Sequence, residues 1–252
     1  MNSYNINFNC AFVIPCYNEE KRLPYHSFLE FATNNKNVLL CFVNDGSKDN
    51  TLDVINQLAN TAAENVIVYD MPKNGGKAEA VRNGMLHVHQ NYSVKQIGFL
   101  DADLATCPNE FLQMAKYKEN LSQFGAIVGS RIVRLGANIQ RDDNRSFFSK
   151  IIKRAIRFIL KTPFQDTQCG AKMFDRNLVP FLFDKPFLSP WLFDVEIFLR
   201  LQQKFGKTTL QNGVLEYPLM NWTEVGGSKL TLKHTLKIPL QLSHLFYHYK
   251  LA

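Results

Sequence analysis

The chain has 252 residues, 46% of them apolar, and carries a formal charge of +7. That is length enough for one large or two small domains. It has no run of eighteen apolar residues, and MNSYNINFNC has no basic start followed by a long apolar core, which reads against a transmembrane span and a secretory leader. Five cysteines, Cys10, Cys16, Cys41, Cys107 and Cys169, contain no CxxC pair, so a disulfide framework or zinc site is not expected and a reducing, cytosolic setting fits.

In chain order, short apolar runs recur at CAFVIP, VLLCFV, NVIVYD, QIGFLD and AIVGS, each bounded by turn residues. Between them, segments of helical character fall near residues 20–34, 51–63, 77–90 and 109–121. Strands alternating with helices predict an α/β fold, a mostly parallel sheet with helices on both faces. No repeat or linker divides the chain, so a single domain over 1–252 is expected. Ligands of such sheets gather beyond the carboxyl ends of the strands. Three polar tips stand there: PCYNEE (15–20), NDGSKDNT (44–51) and DADLAT (101–106).

The tip at 44–51 sets Asp45 and Gly46 in a tight turn, with Asp49 or Asn50 placed to cap the next helix. Asp45 stands where a base or ribose would be hydrogen-bonded, while an ordinary βα turn accounts for the rest. Residues 73–84, KNGGKAEAVRNG, set two glycines before a helix expected to start near Lys77. Glycines admit close backbone approach and a helix start attracts phosphate, the more so beside a lysine; a plain loop has the same composition. At the third tip Asp101 and Asp103 stand two apart, so an extended chain would aim both carboxylates to one side. Like charges that close disfavour each other, and Thr106 or Asn109 serves to cap the following helix. The aspartate pair is therefore read as a site for Mg2+ or Mn2+ shared with a diphosphate.

Farther on, DTQCGAK (166–172) and WLFDVE (191–196) embed carboxylates among apolar and small residues. Asp194 and Glu196 head the helical run FDVEIFLRLQQKFG, where a carboxylate favours the helix dipole or, for Asp194, acts as a general base. NWTEVGGSKL (221–230) carries Ser228 and Lys229 on a glycine-containing loop, suited to closing over phosphates or to being plain surface. In SFFSKIIKRAIRFILK (146–161), Phe148, Ile152, Ala155 and Ile159 recur at helical spacing. Lys150, Arg154, Arg157 and Lys161 repeat that spacing two residues later, which sets apolar and basic stripes on nearly opposite faces. Such a helix lies on an anionic bilayer or packs its apolar face on the core. The C-terminal LTLKHTLKIPLQLSHLFYHYKLA is again apolar and basic, kinked or divided by Pro239. No RNA- or DNA-binding motif is visible, so no nucleic-acid partner is expected.

Together, VIPCYNEE, VNDGSKDNT, NGGKAEAVRNG, DADLAT, GSR, DTQCGAKMF, WLFDVE and NWTEVGGSKL occur in the order seen in glycosyltransferase family 2. The chain most resembles the dolichyl-phosphate β-glucosyltransferase branch, with polyprenyl-phosphate mannose synthases more distant. The resemblance runs from about residue 10 to 232 and implies a GT-A fold, with a donor-binding half at about 8–130 and an acceptor- and membrane-facing half at about 131–252. It casts Pro15, Tyr17, Glu19, Val43 and Asp45 as the nucleoside pocket. Asp101 and Asp103 would hold Mg2+ or Mn2+ on the donor diphosphate, Ala102 would touch the ribose region, and Lys229 would reach the diphosphate. Arg131, Arg145 and Ser149 match positions that in similar enzymes grip the acceptor phosphate, which suits a forked guanidinium. Lys77 joins the donor-binding set, and Asp194 and Arg131 are the candidate catalytic residues.

The implied activity is inverting transfer of a hexose, glucose from a UDP-sugar first of all, to a polyprenyl phosphate of dolichyl or undecaprenyl type. The implied setting is peripheral, on the cytoplasmic face of a membrane, through the basic amphipathic helices. Three alternatives stay open: transfer to a glycan hydroxyl with Asp194 as base, mannosyl transfer from GDP-mannose, and a non-catalytic basic membrane-binding module. The chain departs from the family pattern at Ala105, where mannose synthases carry glutamine. It also departs at Leu104 and Ala171, where the glucosyltransferases carry glycine and an aromatic, and it is expected to do without their N-terminal membrane anchor.

Overall fold

A computed structural model describes residues 8–121, 123–140, 147–161, 164–206, 213–225 and 232–251. Each of the five apolar runs forms a strand: β1 (Phe8–Cys16), β2 (Val38–Asn44), β3 (Val66–Asp70), β4 (Val94–Phe99) and β5 (Ala126–Ser130). All residues of β2 and β5 are buried, as strands covered on both faces require, which is why these runs do not alternate apolar with polar. Helices α1 (Tyr25–Asn34), α2 (Thr51–Thr61), α3 (Lys77–Asn91) and α4 (Pro108–Glu119) fill the intervals. The N-cap of α2 is Asn50, which makes no side-chain cap bond, while Asp49 Oδ1, one residue earlier, accepts from the Thr51 backbone N at 3.1 Å. The cap of α4 is neither Thr106 nor Asn109 but Cys107, whose Sγ accepts from Glu110 N at 3.4 Å. Pro108 fixes the first helical residue and so leaves its predecessor in the extended cap position.

The second half adds β6 (Asn138–Gln140), α5 (Phe147–Leu160), β7 (Lys172–Asp175), α6 (Val179–Phe183), α7 (Phe193–Phe205), β8 (Val214–Pro218), β9 (Asn221–Thr223) and α8 (Leu232–Phe246). The main sheet runs β3-β2-β1-β4-β7-β5-β8, and β6 pairs with β9 apart from it. Within the main sheet β7 runs antiparallel to both neighbours, β4 and β5, while the other pairings are parallel. Strand order reverses about β1 and β4, which opens the crevice where ligands of doubly wound sheets bind. One apolar layer joins α3, α5, α6, α7 and α8 to the sheet, and the other joins α1, α2 and α4.

One expectation changes at this level and one open alternative is decided. Strand β4 ends at Phe99, so Asp101 and Asp103 stand in a turn beyond it and not on one face of an extended strand. Leu104 closes that turn at φ +57°, a left-handed conformation that glycine adopts freely and other residues reach at a cost of about 1–2 kcal/mol. On α5 the apolar stripe belongs to the core: Ile156, Ile159 and Leu160 are buried and Ile152 and Ala155 pack against them. What α5 turns outward is Arg154, Arg157 and Phe158, followed by Lys161. No helix among the described residues is long and apolar enough to cross a membrane.

Candidate active site

The tips of β1 and β2 are laced together. Pro15 stands beside Val43 in the parallel register. Beyond them Asn18 N donates to Ser47 Oγ at 3.1 Å, Lys48 N to Asn18 Oδ1 at 2.9 Å, and Glu19 N to Thr51 Oγ1 at 2.7 Å. Glu19 is buried, and its carboxylate accepts from Arg22 Nε and Nη2 at 2.9 and 2.7 Å. Tyr17 lies half-buried beside it. The expected nucleoside residues thus share one rim, in which Glu19 is braced by Arg22.

Asp45, buried at the end of β2, organises the next loop. Its Oδ1 accepts from Gly75 N at 2.7 Å, and its Oδ2 accepts from Gly76 N at 2.9 Å and from Asn74 Nδ2 at 3.0 Å. Gly76 sits at φ +84° immediately before α3, so the loop needs glycine there. The carboxylate expected to meet the nucleoside therefore also fixes the turn that launches α3. Asn74, which the sequence reading passed over, is the side chain that completes this clasp.

Lys77, the first residue of α3, forms an ion pair with Asp101 Oδ1. Burial works against its charge, but Asp101, Asp194 and Asp103 hold the Lys77 ammonium above its ordinary value. Asp103 is pushed the other way from an ordinary carboxylate: burial first, then the charge of Asp101, raise it, although its Oδ1 accepts from Ala105 N at 3.0 Å. Ala102 between them is buried. Behind Asp101 stands Gly170, where an added Cβ would lie 2.1 Å from Asp101 Oδ2. Only hydrogen fits in that space.

The β7 insertion brings in two ion pairs. Lys172, fully buried, donates to Cys169 O at 2.7 Å and to Asp194 Oδ1 in the first turn of α7. Its ammonium also lies 5.5 Å from the centre of the Phe99 ring. Arg131, just past β5, donates to Asp166 from its backbone N, Nε and Nη2 at 3.1, 2.5 and 2.8 Å and stacks over Trp222 at 5.0 Å. Burial alone would raise the Asp166 carboxyl, but the bonds and charge of Arg131 hold it well below the carboxylate range. Glu216 accepts from Gln165 N at 2.9 Å and Asp166 N at 2.8 Å and steadies that loop. DTQCGAK contains Asp166, Gly170 and Lys172, yet the sequence reading names none of the three individually as a candidate. The signal was a lysine set inside an otherwise buried strand, which demands a carboxylate partner.

Arg145 and Lys229 lie outside the described residues, and Ser149 is described only by its place in the first turn of α5. Among the described residues no three His, Cys, Asp or Glu side chains cluster as a complete metal cage. Two carboxylates in the turn beyond β4, one raised by burial and by the other's charge and one pressed against a glycine that leaves it no retreat, fit a hard divalent ion that draws its remaining ligands from a substrate.

The family model described as glycosyl transferase family 2 matches residues 11–183, and the chain belongs to that family. It is a glycosyltransferase with a GT-A fold. A dolichyl-phosphate beta-glucosyltransferase of Drosophila melanogaster is 34% identical over 241 residues, covering 87% of this chain and 68% of that protein. One from Trichomonas vaginalis is 31% identical, covering 95% and 71%, and the Homo sapiens enzyme is 30% identical, covering 86% and 68%. Glucosyl-3-phosphoglycerate synthase of Mycobacterium tuberculosis, solved with Mn2+, UDP-glucose and phosphoglyceric acid, superimposes with a TM-score of 0.70 at 14% identity, covering 96% of this chain and 79% of that one. At that identity the likeness concerns the fold.

Proposed function

We propose that the chain transfers glucose from UDP-glucose to a polyprenyl phosphate of dolichyl type, with inversion at the anomeric carbon. The observation that carries this reading is the convergence of Asp101, Asp103 and Lys77 at the carboxyl ends of β1, β2 and β4, beside the loop that Asp45 clasps. Pro15, Tyr17, Glu19, Val43 and Asp45 form the nucleoside rim, Ala102 backs the ribose, and Lys77 and Lys229 serve the diphosphate. Asp101 and Asp103 would hold Mg2+ or Mn2+. When bound, that ion supplies positive charge to the departing diphosphate.

An oxygen of the acceptor phosphate attacks the anomeric carbon from the side opposite the diphosphate. The new C–O bond forms as the bond to the diphosphate breaks, and UDP leaves. A phosphate monoester is already anionic near neutral pH, so its attack needs no base. Asp194, held through Oδ1 by Lys172, has no proton to take from this acceptor. Arg131, clamped in one orientation by Asp166, joins Arg145 and Ser149 around the acceptor phosphate. The outward basic side chains of α5, with Phe158 and with Lys237, Leu240 and Tyr247 of the C-terminal segment, would rest on the cytoplasmic face of the membrane that carries the lipid.

Incubating the protein with UDP-glucose, GDP-mannose and other nucleotide sugars, short polyprenyl phosphates and anionic vesicles tests the reading. A metal-dependent glucosyl phosphoprenol from UDP-glucose is expected. A product from GDP-mannose alone, or transfer to a glycan hydroxyl and not to lipid phosphate, would overturn it.

A further inference from the structure

The two lysines of the charge cluster are held differently. Lys172 is fully buried and tied to Cys169 O, Asp194 and the Phe99 ring. Lys77 stands at the open end of α3 with 42% of its side chain exposed, against Asp101, which is 30% exposed. The first ammonium is part of the core, and the second can swing. Its partner is Oδ1 of one of the two carboxylates read above as metal ligands. The charges of Asp194 and Asp103 add to that of Asp101 in favouring the ammonium.

An ammonium on a carboxylate oxygen and a divalent ion seeking that carboxylate exclude each other. Two positive charges brought to the same carboxylate oxygen repel, and the more strongly where water is partly excluded. We propose that Lys77 is a built-in competitor of the metal at Asp101, so that the ion binds weakly alone and tightly with the nucleotide. The donor diphosphate offers Lys77 a second anion. When the ammonium turns to it, Asp101 is released to the metal, and the positive charge of Lys77 is used twice without being left unpaired. Metal and donor then load together, and by linkage each raises the affinity of the other by the same factor. This inference rests on the donor and metal sites proposed above.

The test is a titration of the full chain with Mn2+, following free Mn2+ by electron paramagnetic resonance, first without nucleotide and then with UDP. Lys77→Met, similar in length and uncharged, should bind Mn2+ alone about tenfold more tightly than the wild type or better. The factor by which UDP tightens Mn2+ should shrink in the same variant, and Lys77→Arg should keep the wild-type pattern. Circular dichroism establishes that the variants are folded, and Lys77→Gln repeats the neutral substitution with a polar group. Unchanged or weaker Mn2+ binding in folded Lys77→Met and Lys77→Gln overturns the competition. If neither the wild type nor the variants bind Mn2+ even with saturating UDP, the metal site itself is refuted, and the inference with it.

Discussion

Arg131 and Asp166 share three hydrogen bonds in a buried setting, with Trp222 covering the guanidinium. Removing one partner leaves the other charged and out of water, a cost of about 3–5 kcal/mol. Asp166→Asn should therefore lower stability by that order at pH 7, measured by urea unfolding. The pH dependence has a definite sign. Because Arg131 holds the Asp166 carboxyl well below the ordinary range, the stability it supplies is complete above the unfolded value, about 3.9, and is lost as pH falls through the folded value. The gap between wild type and Asp166→Asn should be full at pH 7 and close only in strong acid. A gap that widened on acidification would sink the account. Arg131 was legible in the sequence from the GSR motif, whereas Asp166 was not, because a carboxylate in a loop of small residues looks like any turn until the guanidinium that needs it is folded against it.

At the scale of elements, β7 decides how the site closes. Its antiparallel insertion pairs Phe99 with Lys172 and so carries the 166–171 loop against the aspartate turn. Gly170→Ala places a Cβ 2.1 Å from Asp101 Oδ2 and 2.5 Å from its Cγ, and one of the two loops has to move. A displacement of about 1 Å at a catalytic group costs roughly a hundredfold in rate. Gly170→Ala should show that fall in kcat and weaker Mn2+ binding with UDP, while far-UV circular dichroism stays native. Full activity would mean that Asp101 is not held by this packing. The first five strands and four helices were readable because a parallel sheet buried on both faces writes continuous apolar runs, with turn residues between them. Strand β7 was not, since KMFD is four residues long and begins with the buried lysine that hydropathy assigns to the surface. The turn containing Asp101 and Asp103 was misread as strand for a related reason. Nothing in IGFLDAD signals that pairing stops at Phe99, and the left-handed residue that closes the turn is a leucine and not the glycine that would have announced it.

At the scale of the whole molecule, the +7 charge is a difference between two unlike regions. Residues 144–165 carry six lysines and arginines and residues 225–252 carry four, and neither stretch contains an acid; the remainder holds 19 basic and 22 acidic residues and is net acidic. Both stretches include helices, α5 and α8, that lie against each other, and buried Ile156, Ile159, Ile238 and Leu242 belong to the same apolar layer. Their apolar faces are thus spent on the core, so the membrane contact proposed above would have to come from the outward charges, with Phe158 and Leu240, both exposed, among them. Such attraction contributes about 1 kcal/mol for each lysine or arginine near an anionic surface. Replacing Arg154, Arg157 and Lys161 by glutamine should lower partitioning onto phosphatidylserine vesicles by about 3 kcal/mol, roughly a hundredfold. All three side chains are exposed, so thermal stability should change by no more than about 0.5 kcal/mol. Wild-type binding should weaken between 0.1 and 0.5 M salt as the Debye length falls below about 10 Å, and zwitterionic vesicles should bind far less. Flotation assays across that salt range separate the cases. Binding that is insensitive to salt and to the triple substitution would mean that insertion of Phe158 and Leu240, and not charge, holds the protein on the vesicles.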